Sequence, residues 1–239
     1  MKKKIAVVIG LIIVVSIFLK YGRTIYIPVM NKIKANETVE SRIDKVQEEV
    51  SNRLKSHLNL AGYAMDDYPN EIILAAFKEE QTLQIYSKAY DRTHFIKEYP
   101  FTAFSGELGP KLKEGDRQIP EGIYEVEYLN PNSSFYLSIK VNYPNEFDKS
   151  KTKLSNISDM GGDIFIHGKS VTIGCIPIGD DAIEEVFLLT HKAINNGVKV
   201  IISPRDFRVN PEYPKIASID WENELYDKIK NEIRVLPNN

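Results

Sequence analysis

Residues 161–181 read GGDIFIHGKSVTIGCIPIGDD, and the chain's one cysteine, Cys175, stands in it eight residues after His167 and directly after Gly174. Asp163 to His167 has strand character. Asp181, with Glu184 three residues on, has the form of a helix N-cap and its capping-box partner. From there Ile183, Val186, Phe187, Thr190 and Ile194 mark one helical face, which Gly197 ends before strand character returns at Val198 to Ser203. A thiol of ordinary pKa is mostly protonated at neutral pH, and a nearby imidazole raises its thiolate fraction and later supplies a proton to a leaving group. Cys175 and His167 are therefore a candidate nucleophile and base. A straight hairpin around Lys169 would set Cys175 opposite residue 163, roughly 13 Å from His167. For the pair to meet, the chain must turn or bulge after Val171, and Gly174 is the residue suited to it. Gly174 also lets the backbone approach a substrate, with the amides of Gly174 and Cys175 as candidate oxyanion donors.

Upstream, the hydrophobic period is two. Phe135, Leu137, Ile139 and Val141 alternate with polar neighbours, as do Tyr124, Val126 and Tyr128 with Glu125 and Glu127, which predicts half-buried antiparallel strands. Between residues 104 and 122, FSGELGPKLKEGDRQIPEG holds four Gly and two Pro and reads as a long loop. It lacks the spacing and the Ser or Thr of a P-loop. Val39, Ile43, Val46, Val50, Leu54 and Leu58 form one stripe of an amphipathic helix, either a stalk or a helix packed on the following domain. Trp221, Leu225, Ile229 and Ile233 mark another near the C-terminus.

At the other end, Lys2, Lys3 and Lys4 precede an uncharged run from Ile5 to Leu19. This is the pattern of a secretory signal or a membrane anchor, and the absence of an A-x-A-like site after it favours the anchor. The expected organisation is a signal anchor or signal peptide over 1–23, a charged amphipathic helical segment over 24–66 and a catalytic domain over 67–239, outside the cytoplasmic membrane.

The 239 residues carry 31 Lys+Arg against 33 Asp+Glu, with 43% hydrophobic and 27% charged residues. That composition excludes a disordered chain, a collagen-like repeat and a multi-span membrane protein. Near-neutrality argues against nucleic acid as a partner. One cysteine excludes a disulfide scaffold, and with four histidines in the chain no metal or other cofactor is expected.

Ile166-His167-Gly168 followed by Thr172-Ile173-Gly174-Cys175, together with Ser105–Lys111, Gly115–Gly122, Tyr136-Leu137-Ser138 and Tyr143-Pro144-Asn145, resembles the L,D-transpeptidases of the YkuD type, in particular their YafK-like branch. The resemblance implies an α+β fold: an antiparallel, β-rich catalytic domain, sandwich- or barrel-like, with flanking helices. It implies a peptidoglycan enzyme in which Cys175 attacks a diaminopimelate-type stem carbonyl to give a thioester, with His167 as base and Gly174, Thr172 and Gly168 as support. An amine acceptor would make a transpeptidase, water a hydrolase. Lys111, Lys113 and Arg117 are candidates for binding the stem's carboxylates, or else ordinary solvated loop charges. The chain departs from the broader family in the short His-to-Cys spacing, in Ile173 where His or Arg is usual, and in Pro177 where Arg or Asn is usual. Two other classes fit the residues: a wall-binding scaffold that keeps the fold without activity, and a cysteine amidase acting on proteins.

Overall fold

The computed structural model describes residues 37–64, 67–89, 92–154 and 159–237. The expected signal or anchor over 1–23 lies outside the described residues, and none of the helices within them is long and apolar enough to cross a membrane. In chain order the elements are α1 (Val39–Leu60), β1 (Ile72–Phe77), β2 (Thr82–Ala89), β3 (Arg92–Pro100), β4 (Gly122–Asn130), β5 (Ser138–Val141), α2 (Glu146–Leu154), β6 (Phe165–His167), β7 (Ile176–Pro177), α3 (Asp180–Ala193), β8 (Val198–Ser203) and α4 (Glu222–Ile233).

The strands form one sheet in the order β3-β2-β1-β8-β4-β5-β6-β7. Its pairs are antiparallel except β1 with β8 and β6 with β7, which are parallel. Of the expected antiparallel, sandwich- or barrel-like domain, the barrel-like form holds as a half-barrel, and the sheet is mixed in place of purely antiparallel. The parallel pairing of β1 with β8 joins distant parts of the chain, which local periodicity cannot reveal. The sheet is continuous because β4 serves two partners. Gly122 to Glu125 pair with β8, and the remainder pairs with β5 across a register shift between Val126 and Tyr128. That shift turns Tyr128 outward and Leu129 inward, so the predicted Tyr124-Val126-Tyr128 face breaks at the bulge.

Alternate residues of β1 enter two cores. Ile72, Leu74 and Ala76 pack with the buried sides of α1 and α3, while Ile73, Ala75 and Phe77 pack with Leu225, Tyr226, Ile229 and Ile233 of α4. Burial on both faces explains why β1 is a continuous apolar run. Each fully buried Ile, Leu or Phe among them contributes about 1.5–3 kcal/mol. The α1 stripe lies on the larger core as its spacing predicts. Arg53 fixes α1 to α3 through Glu184 and Glu185, at 2.7 and 3.1 Å.

Two local expectations change. β5 begins at Ser138, because Tyr136 adopts a left-handed φ of 79° and Phe135 stays outside the strand. All four residues of β5 are buried, so neither face of the strand is open to water. Asp181 does not cap α3. The cap position is Gly179, with no side-chain cap bond, and Asp180 turns its carboxylate to the preceding loop, where it accepts from the Lys169 amide at 2.9 Å and pairs with the Lys169 ammonium.

Candidate active site

His167 ends β6 and Cys175 immediately precedes β7. The two strands run parallel with His167 opposite Pro177, two residues beyond the cysteine. Residues 168–175 therefore form a loop that returns the chain to the side of β6, replacing the hairpin that would have separated the pair. Three glycine and threonine positions shape it. At Gly168 a Cβ would meet the Phe135 carbonyl at 2.8 Å and Asp180 Oδ1 at 2.6 Å, so no side chain fits there. Gly174 has φ 134°, and a Cβ would lie 3.0 Å from the Gln118 carbonyl. The long loop after β3 thus rests directly on the cysteine turn. Thr172 Oγ1 accepts from the amides of Gly174 (3.1 Å) and Cys175 (2.9 Å) and donates to the Cys175 carbonyl (2.7 Å). The two amides considered as oxyanion donors point inward to this hydroxyl in the resting structure.

The imidazole of His167 is buried, its ring packed on that of Phe135 with centroids 4.6 Å apart. Its Nδ1 lies 2.5 Å from the Gly168 carbonyl. A carbonyl only accepts, so Nδ1 carries the hydrogen and Nε2 is the basic nitrogen. Burial lowers the pKa of the ring and the Gly168 bond partly restores it, which keeps the imidazole neutral at pH 7.

Cys175 is partly exposed, with Sγ 3.5 Å from the Asp163 carbonyl. Burial pushes its thiol above the ordinary value. The Phe165 amide and the Lys140 and Lys111 ammonium groups pull it down, and the Asp163 carboxylate pushes it up. Both shifts favour the neutral forms, a thiol and an imidazole, in the resting state. This differs from the expected gain in resting thiolate.

The candidate cations of the long loop part ways. Lys113 and Arg117 are exposed, Arg117 at φ 58°. Lys111 is buried and held by Asp116 Oδ1 at 2.6 Å and the Lys113 carbonyl at 2.8 Å. Asp116 also accepts from the amides of Leu112, Lys113 and Gln118. Burial alone would raise the pKa of this carboxyl, and Lys111 with the three amides outweighs it, holding it below the ordinary range.

Several features were not read from the sequence. Phe135 borders His167, while Lys140, Asp163 and the Phe165 amide border Cys175. Val171 and Ile173, 56% and 78% exposed, stand on the cysteine loop as an apolar rim. A cleft of about 990 Å³ lies elsewhere among the described residues, lined by Tyr124, Tyr143, Asn145 and Lys199 near the junction of β4 and β8. A shallower one of about 580 Å³ borders the cysteine loop at Lys169 and Ser170 and includes Lys97, Tyr99 and Glu185.

Residues 71–202 match the sequence model of the YkuD L,D-transpeptidase catalytic domain. YafK of Escherichia coli (strain K12) is 34% identical over 164 residues, 66% of this chain, and the match spans 63% of that relative's length. Among solved structures, the helical cell shape determining protein Pgp2 from Campylobacter jejuni is 18% identical with a TM-score of 0.47, covering 68% of this chain and 69% of that one. L,D-transpeptidase 1 of Mycobacterium tuberculosis is 16% identical with a TM-score of 0.33, covering 56% and 62%. With its family motif spread over β6, the cysteine loop and β7, and its match running from β1 to β8, this chain belongs to the YkuD family of L,D-transpeptidase catalytic domains.

Proposed function

We propose that the protein acts outside the cytoplasmic membrane on peptidoglycan stem peptides, by acyl transfer through a Cys175 thioester. The observation that carries this reading is the tautomer of His167: Nδ1 is committed to the Gly168 carbonyl, which leaves Nε2 as the base, on a strand paired with β7 directly after Cys175. In the first step Nε2 takes the thiol proton as sulfur bonds to the carbonyl carbon of the L-centre of a diaminopimelate-type residue. The tetrahedral intermediate then collapses, the C–N bond breaks, and the proton on Nε2 passes to the departing amine. In the second step an acceptor attacks the thioester, gives its proton to Nε2, and sulfur leaves and recovers that proton.

Water is the acceptor we favour. Pro177, buried in β7 opposite His167, has no side-chain group to hydrogen-bond an incoming amine, where the family usually carries Arg or Asn, and its carbonyl already accepts from the Thr102 amide. The exposed Val171 and Ile173 likewise offer such an amine no polar partner. Lys113 and Arg117 are proposed as outer contacts for stem carboxylates.

The test is mass spectrometry of muropeptides from isolated cell wall treated with the full chain. New trimmed stems are expected with the wild-type protein and none with Cys175→Ala. A profile identical to untreated wall overturns the reading, and new cross-links in place of trimmed stems overturn the choice of water.

A further inference from the structure

Lys140 occupies the middle of β5, where a side chain is enclosed by neighbouring strands, and only 8% of its side chain is exposed. An ammonium so placed needs an anion close by, because desolvated charge is costly without one. The anion is Asp163, with Oδ1 3.1 Å from Nζ, yet the Asp163 side chain is 91% exposed. The cation thus looks outward from the sheet to a carboxylate held from the solvent side. A carboxylate with that exposure gives up its place at little cost, since ion pairs reaching into water are weak.

The location matters as much as the exposure. Lys140 is opposite Phe165 in the β5–β6 register, and its ammonium lies 5.1 Å from the Phe165 ring centroid. The thiol of Cys175 is held against this same stretch, 3.5 Å from the carbonyl of Asp163. Asp163 is itself in the left-handed region, at φ 55°. One residue therefore touches the buried cation through its carboxylate and the candidate nucleophile through its backbone. An anion that takes over from the Asp163 side chain sits within one residue's reach of sulfur. A diaminopimelate-type acyl donor brings such an anion, the carboxylate of its second stereocentre.

We propose that Lys140 binds a carboxylate of the acyl donor, and that Asp163 stands in for that carboxylate until the substrate displaces it. The proposal deepens the stem-peptide reading and rests on it.

Calorimetric titration of the full chain carrying Cys175→Ala tests this without turnover. The probes are a stem tetrapeptide with diaminopimelate at position three and the same peptide amidated at the second-centre carboxyl. Lys140→Gln should weaken the carboxylate peptide by about tenfold and leave the amidated peptide nearly unchanged. Lys140→Arg should recover most of that loss. Asp163→Asn, which removes the competing anion, should tighten the carboxylate peptide severalfold. Equal losses for the two peptides, or no tightening in Asp163→Asn, overturn the proposal. If Lys140→Gln does not fold, the Asp163→Asn arm decides alone. Wall trimming by the wild-type protein without carboxylate discrimination would remove this subsite and keep the function. Discrimination without any wall chemistry would do the reverse.

Discussion

Lys78 and Lys140 are both buried lysines paired with carboxylates, and they differ in where the carboxylate stands. Lys78 follows β1 and meets Glu121 at 2.9 Å, with both side chains fully buried. Its ammonium also donates to the carbonyls of Gly109 (2.7 Å) and Ile119 (3.0 Å), while Glu121 accepts from the Gly109 amide (2.7 Å) and the Tyr226 hydroxyl (2.8 Å). Burial lowers the Lys78 pKa and Glu121 pulls it back. This cluster ties both ends of the long loop to β1 and α4, and through the loop's contact with Gly174 it fixes the roof of the cysteine turn. Lys140 instead shares its carboxylate with water. A closed pair serves geometry, whereas an open one is free to exchange.

The comparison breaks most visibly if each lysine is removed. Lys78→Met should cost about 3–5 kcal/mol, because Glu121 is left charged and enclosed. Adding Glu121→Leu should recover part of the loss by removing that stranded charge. Lys140→Met should cost about 1 kcal/mol or less, since the Asp163 it leaves behind is already in water. Urea unfolding of the variants measures all three. Comparable losses at the two lysines would show that exposure of the partner is not what separates them.

Asp148 of α2 sharpens the comparison with a buried carboxyl that responds by taking up a proton. Burial raises it to about 6, against smaller pulls from the Asn145 amide, the Tyr124 hydroxyl and Lys149. A carboxyl raised in the folded state contributes stability that is fully present below its unfolded value, near 3.8, and is lost as pH rises through about 6. The loss between pH 4 and pH 7 is about 3 kcal/mol at most, from 1.4 kcal/mol per pKa unit. Asp148→Asn should flatten that part of the stability profile, measured by urea unfolding across the range. An unchanged slope would assign it to another group.

What could be read in advance follows the same division between local and distant. The His167–Cys175 motif, the α1 stripe and the need for a turn at Gly174 are local, and residue spacing expresses them. Lys78 and Glu121 are 43 positions apart in the chain and their third partner, Tyr226, is more than a hundred from Glu121, so nothing near any of them marks a cluster. The parallel pairing of β1 with β8 is hidden for the same reason. β5 misled in another way. Its alternation suggests one wet face, but both faces are covered, and Ser138 and Lys140 are buried along with Ile139 and Val141. Lys140 reads as a solvent residue because of that alternation.

Thr172 supplies the finest division, between holding a group in place and withholding it. Its hydroxyl binds the amides of Gly174 and Cys175 and the Cys175 carbonyl. If it is a positioning residue, Thr172→Val loosens the turn that aims the thiol, and kcat on wall substrate should fall by about 10- to 100-fold, since small displacements of a reacting group are costly. Stability should fall by only about 1 kcal/mol, and Thr172→Ser should restore the rate because it keeps the oxygen. The opposite sign has an equally physical origin. Were the two amides needed outward for a tetrahedral oxyanion, removing the hydroxyl that holds them inward would raise kcat. Single-turnover kinetics of the two variants, with iodoacetamide alkylation of Cys175 as a measure of thiol access, distinguishes the outcomes: slower acylation at unchanged alkylation supports aiming of the nucleophile, and faster acylation shows that Thr172 restrains the oxyanion donors.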